Sequence, residues 1–199
     1  MSNAVVQAVR TTGVPRFELR PHNCFACGSL NAHGLHLVLH VEHGRAATEI
    51  LLDRSFEGWD GIAHGGIICT ILDEVMAWSL VGSDNWGVTA RMTVDFKRPV
   101  PIGRRLRAEG SITRERRRLI ETMSQLTDAE TGETLATGEG VYMAADPERK
   151  RELRERYGFR LVAEEFQTQT AEADTPVKVG TESTRLRKTG QTRAGRASR

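Results

Sequence analysis

The sequence predicts an α+β fold: one long helix at the core with an antiparallel sheet layered against it. Residues 66–80 are apolar on almost every side of a helix, with Ile67, Ile71, Val75 and Trp78 on one side and Ile68, Leu72, Met76 and Ser79 on another. A helix of that kind is buried. The segments on either side alternate apolar and polar residues with a period of two, and short turns join them as hairpins.

Taken in order, residues 1–21 show little pattern and read as a flexible leader. The start, Met1 to Val6, lacks the basic-then-apolar pattern of a signal peptide. Cys24-Phe25-Ala26-Cys27-Gly28 follows, with His22, His33 and His36 close by. One thiol pair without a second reads as a tightened turn ahead of the first strand rather than a zinc site, so no metal is expected. Leu35–Val41 and Ala46–Leu52 alternate around His43-Gly44-Arg45 and form a hairpin. The loop from Asp53 to Ala63 carries Phe56 and Trp59, which either line an apolar pocket or plug the loop. The helix from about Gly66 to Leu80 is too short to span a bilayer. Val88–Phe96 is strand-like, and Pro99, Pro101 and Gly103 end it. Leu106–Arg114, Leu119–Leu126 and Thr134–Met143 are three further strands. Residues 22–145 thus form the folded domain. Residues 146–166 are assigned to a charged C-terminal helix, plainest from Asp146 to Tyr157 and capped by Asp146 with Pro147 at its first position. Residues 167–199 read as a disordered basic tail.

Charge and cysteine count narrow the class. The net charge of +2 is concentrated at the end: from Gln167 onward seven Lys/Arg face three Asp/Glu. A globally basic nucleic-acid binder is not indicated. No apolar run suggests a membrane partner, and three cysteines argue against a disulfide framework. A cytoplasmic location is the expectation.

Two features of the central stretch carry chemistry. Asp73 has Cys69, Met76, Ala77 and Leu80 as helical neighbours, so its sector is apolar and its carboxylate is stripped of water. Either it serves as a base or it pairs with an arginine such as Arg91 or Arg98. Glu74, about 100° round the helix, reaches the rim of the site, where it contacts a substrate, or a salt bridge. At the helix start, His64-Gly65-Gly66 presents unpaired N–H groups and the positive end of the helix dipole, suited to an oxyanion. Gly65 and Asp73 are eight residues apart, about 12 Å along a helix. One carbonyl cannot touch both in one copy, so a shared substrate requires a homodimer with its site across the interface.

His64-Gly65-Gly66, Asp73, Val88-Thr89 and Phe96-Lys97-Arg98-Pro99 together resemble the PaaI-like hotdog-fold acyl-CoA thioesterases, over roughly Cys24 to Met143. The resemblance implies a long helix wrapped by an antiparallel sheet, and dimers in which the acid of one subunit faces the glycine turn of the other. It further implies that acyl-CoA is hydrolysed to a carboxylate and free coenzyme A without a cofactor. Asp73 would be general base or direct nucleophile, Gly65 and Gly66 the oxyanion hole, His64 the residue shaping that entrance, and Thr89 a hydroxyl positioning water. Several relatives place a side-chain amide before the turn, where this chain has Gly58 or Trp59. Substrate contacts would come from Phe56, Trp59 and Glu74, with Arg98 and Arg104 toward the coenzyme A phosphates. A hotdog dehydratase would carry an Asp-x4-His pattern, which is missing. A non-catalytic acyl-CoA-binding protein is the alternative, and dimers could pair into tetramers.

Overall fold

A single long helix crosses the inner face of a curved antiparallel sheet in the computed structural model, which describes residues 16–162. The chain divides into Met1–Glu165 and Phe166–Arg199. The second unit, with the tail expected at 167–199, lies outside the described residues, as do residues 1–15 of the leader.

In chain order the elements are β1 (Arg16–Glu18), β2 (His40–Glu42), β3 (Arg45–Leu51), a 3-10 turn (Arg54–Phe56), β4 (Glu57–Trp59), β5 (Ile62–Ala63), α1 (Gly65–Gly82), β6 (Gly87–Phe96), β7 (Arg105–Arg116), β8 (Leu119–Asp128), β9 (Thr134–Ala144), α2 (Pro147–Tyr157) and β10 (Arg160–Val162). The main sheet runs β10-β1-β2-β3-β7-β8-β9-β6, and β4 pairs with β5 in a small ribbon. All pairings are antiparallel. The α+β class and the four strands from β6 to β9 after the helix match the sequence reading.

Burial explains the layering. Ile68, Ile71, Leu72, Val75, Met76 and Leu80 of α1 are almost fully enclosed, and each such side chain contributes roughly 1.5–3 kcal/mol. Ile68, Ile71, Leu72 and Val75 cluster with sheet residues including Ile50, Leu106, Ala108 and Leu126, while Met76 and Leu80 cluster with Ile120, Tyr142 and Ala144. Contact is close at Gly110 of β7, where a Cβ would sit 2.4 Å from the carbonyl oxygen of Val75. Any side chain there would lift the helix off the sheet.

Four expectations are corrected. Part of the flexible leader is structured, since β1 pairs with β10 and with His40. The first hairpin strand shrinks to His40–Glu42. Leu35, Leu37 and Leu39 are buried as the alternation predicts, but the amides of Leu35 and Leu37 donate to the carbonyls of Phe25 and Ala26 instead of a ladder. The charged helix stops at Tyr157, because Gly158 takes a left-handed conformation (φ 56°) and closes it. Residues 160–162 then return to the sheet. Finally, α1 has 18 residues, long and apolar enough by length and composition to cross a membrane; here its apolar sides are covered by the sheet.

The turn after β8 is held electrostatically. Asp128 Oδ1 accepts from the amides of Glu130 (2.9 Å) and Thr131 (3.0 Å), while Arg104 donates to Oδ2 at 2.8 and 3.1 Å. The Thr131 amide first, with the Arg104 guanidinium next, holds the Asp128 carboxyl at about 2. A lowered folded pKa stabilises fully above the ordinary value of 3.8 and less as pH falls through about 2. Asp128→Asn is expected to lower the melting temperature by a few degrees at pH 7. That difference should narrow below pH 3.8 and close below about pH 2. Thermal circular dichroism across pH checks it; a deficit independent of pH would remove the charge from the explanation.

Candidate functional site

The sequence places one carboxylate in the middle of α1, and the sheet decides what it meets. Asp73 is half-buried. Its Oδ1 accepts hydrogen bonds from Thr89 Oγ1 at 2.8 Å and from the Tyr142 hydroxyl at 2.6 Å. The same Tyr142 hydroxyl lies 3.0 Å from the Asp73 carbonyl oxygen. Thr89 and Tyr142 are direct cross-strand partners on β6 and β9. Just beyond them the register shifts between Thr89 and Arg91, and such a bulge re-aims side chains. Two hydroxyls from neighbouring strands therefore hold one carboxylate oxygen. Oδ2 has no hydrogen-bond partner among the described residues. Asp73 pairs with no arginine there: Arg98 instead engages Glu133 at 3.2 Å.

Tyr142 is the residue the sequence reading missed. Burial first, and the neighbouring Asp73 next, push its phenol pKa up, so it acts only as a donor. The available signal was a tyrosine at a buried position of a strand otherwise poor in large residues, since a buried phenol needs a partner. Cys69, four residues before Asp73, is also kept as a thiol by burial and makes a poor nucleophile.

The helix entrance is built differently from expectation. His64 is the N-cap of α1, and its Nδ1 accepts from the Gly66 amide at 2.9 Å. Gly66 is therefore not an open oxyanion donor, because the imidazole has already satisfied it. The Gly65 amide has no acceptor among the described residues. It borders a cavity of about 320 Å³ lined by Ile62, Ile68, Phe96, Arg98 and Pro99, among others. Neither Asp73, Thr89 nor Tyr142 lines that cavity. Because α1 is one continuous helix, its rise of about 1.5 Å per residue keeps Gly65 and Asp73 about 12 Å apart along the axis. Within one chain the two groups stand apart.

Four expected substrate contacts fall elsewhere. Phe56 is buried in the core and plugs the loop. Trp59 is 83% exposed and does not line the cavity. Arg104 is committed to Asp128 and Glu130 at the far turn. Glu74 accepts from Trp78 Nε1 at 2.8 Å and lies beside Cys24 and Cys27. A turn of 100° per residue separates it from the Asp73 face.

With this geometry in hand, comparison with known proteins is informative. A family profile described as the thioesterase superfamily matches residues 60–135. The acyl-coenzyme A thioesterase THEM4 of Rattus norvegicus is 30% identical over 95 residues, covering 47% of this chain and 40% of that protein. The chain thus spans less than half the length of that relative. Among solved structures, a thioesterase superfamily protein matches with a TM-score of 0.57 at 24% identity, covering 61% of this chain and 60% of that one. The PaaI protein of E. coli, from the phenylacetic acid degradation operon, matches with a TM-score of 0.50 at 18% identity, covering 52% and 75%. A hypothetical thioesterase from Streptococcus pneumoniae, solved with coenzyme A, also reaches a TM-score of 0.50, at 17% identity and covering 52% and 83%. At these identities the structures establish a shared fold, the hotdog fold.

Proposed function

We propose that the chain is a PaaI-like hotdog thioesterase, and that it hydrolyses acyl-coenzyme A thioesters at a site shared by two copies. The observation that carries the reading is the Asp73 carboxylate, one oxygen fixed by two hydroxyls and the other open. The name of the rat relative and the coenzyme A in the Streptococcus pneumoniae structure support the substrate class.

Dimerisation has physical support. Among the described residues β6 pairs only with β9, so its other edge offers backbone groups unpaired by them. Val88 and Phe96 on it are 71% and 54% exposed, and Cys69, Asp73 and Ala77 form a half-open stripe along α1. A second copy seated there brings its Gly65 toward Asp73; pairing of dimers into tetramers is compatible with this.

In the reaction, Asp73 Oδ2 takes a proton from water as the water oxygen attacks the thioester carbonyl carbon. The carbonyl oxygen, gaining charge, receives the Gly65 amide of the second copy at the positive end of its helix. The tetrahedral intermediate collapses, the C–S bond breaks, and coenzyme A leaves as a thiolate. Since a free thiol has a pKa of about 8.5, no dedicated acid is needed. Thr89, already donating to Asp73, can accept from the same water. Arg98, exposed at the cavity rim and only weakly held by Glu133, is placed to exchange that partner for a phosphate.

The test is thiol release from a panel of aryl- and alkyl-coenzyme A substrates, followed with a chromogenic disulfide. Binding measured by calorimetry without turnover of any substrate would favour the alternative, a non-catalytic acyl-coenzyme A-binding protein. Tyr142→Phe is expected to lower kcat about tenfold, with KM little changed, because the carboxylate loses one of its two anchors. Loss of the buried hydrogen bonds should also cost about 1–2 kcal/mol in urea unfolding. An unchanged kcat would leave Tyr142 a purely structural residue.

A further inference from the structure

We propose that Cys24, Cys27 and Glu74 form a binding site for a thiophilic divalent cation, zinc above all, which clamps the segment before the sheet onto the central helix. The proposal does not depend on the thioesterase reading. In the sequence the thiol pair lacked a second pair; the fold supplies a third ligand from α1. One ligand atom from each of the three residues lies within 4.8 Å of the other two.

The turn that carries the thiols is built tightly. The Gly28 amide donates to the Cys24 carbonyl at 2.9 Å, and the Leu30 amide to the His22 carbonyl at 3.0 Å. A Cβ on Gly28 would lie 2.4 Å from the Cys24 nitrogen and 2.5 Å from the His22 carbonyl oxygen, so only glycine closes this loop. The Ala26 and Cys27 amides hydrogen-bond the Cys24 sulfur. Amides aimed at a sulfur favour thiolate, the form in which cysteine binds metal. The turn is also anchored to the core, since Ala26 is buried and its carbonyl accepts from Leu37 at 2.9 Å.

Charge makes the arrangement unusual. Three acidic groups converge, yet no Lys or Arg forms an ion pair with any of them among the described residues. The Cys27 hydrogen bond brings the Cys24 thiol down to about 5, while the same contact and burial push Cys27 up. Burial first, and the negative charge of Cys24 next, push Glu74 up to about 7. A divalent cation would offset this convergence of acidic groups. Glu74 is meanwhile oriented by Trp78 Nε1 at 2.8 Å, the kind of outer support that metal ligands receive. Two sulfurs and one carboxylate suit zinc or cobalt in a tetrahedral set with a fourth position open to solvent, and they disfavour magnesium or calcium. Cys24 itself is exposed, which leaves a path in.

The test uses the full chain, stripped with a chelator under reducing conditions and titrated with cobalt(II). Expected are thiolate-to-cobalt charge-transfer absorption and the visible bands of tetrahedral cobalt at one ion per chain, displaced by zinc, with a higher melting temperature. Cys27→Ser should abolish the charge-transfer band. Glu74→Gln, which keeps the shape and the Trp78 contact, should weaken affinity at least about tenfold while far-ultraviolet circular dichroism stays unchanged. Absence of cobalt bands in the parent chain overturns the site, and so does a Glu74→Gln variant of unaltered affinity. Recovery of an intramolecular Cys24–Cys27 disulfide, with no metal uptake by the reduced form, overturns it in favour of a redox pair.

Discussion

Asp73→Asn is expected to slow thioester hydrolysis at least about a hundredfold and to leave folding and oligomeric state intact. A hundredfold loss corresponds to about 2.7 kcal/mol of transition-state stabilisation. The substitution separates structure from chemistry. Asparagine has the same shape, and its Oδ1 still accepts from Thr89 and Tyr142, so the contacts at 2.8 and 2.6 Å survive. What replaces the open Oδ2 is an NH2 group, which donates and cannot take a proton from water. The loss should therefore appear in kcat, with KM and the melting temperature near those of the parent. Steady-state kinetics on the best acyl-coenzyme A, with size-exclusion chromatography and thermal unfolding, measure all three. Parent-like turnover would remove Asp73 from the mechanism.

The second expected result concerns the shared site. Gly65→Val places a branched side chain where a Cβ already meets the Phe96 ring at 3.5 Å. It should fill the space beside the open amide and lower turnover about as much as Asp73→Asn. Mixed together, unfolded and refolded, the two inactive variants should regain activity. Half of randomly paired dimers are hybrids, and each hybrid holds one site with a native Gly65 and a native Asp73. About a quarter of parent activity should return. Sites confined to one chain would give no recovery, because each chain carries one defect. The geometric basis is the continuity of α1 from Gly65 to Gly82, which fixes the two groups on one rigid rod.

Much of the architecture was legible. The burial of α1 followed from its lack of a polar side, and β6 to β9 followed from period-two alternation and turn residues. Local chemistry also set the start of α2, where Asp146 accepts from the Arg149 amide and Pro147 occupies the first turn. The candidate site was legible only in part. His64, Gly65 and Asp73 stood out by type and spacing, and Thr89 through the family resemblance. That Gly66 would be capped by the imidazole two residues earlier depended on the backbone conformation at His64. Tyr142 was hidden because its role depends on being opposite Thr89, 53 positions away in sequence, and only the β6–β9 register decides that.

By itself the sequence determined which groups are present and which local periods they follow: an apolar helix bearing one acid, a glycine turn, a thiol pair and a set of alternating strands. Those are short-range properties, written in neighbours one to four residues apart. Tertiary structure alone decided which distant groups share a position. It set Tyr142 and Thr89 on one carboxylate oxygen, brought Glu74 to Cys24 and Cys27, and committed Arg104 to Asp128. Pairings of that kind depend on strand register and on the angle of α1 across the sheet, which no local pattern specifies.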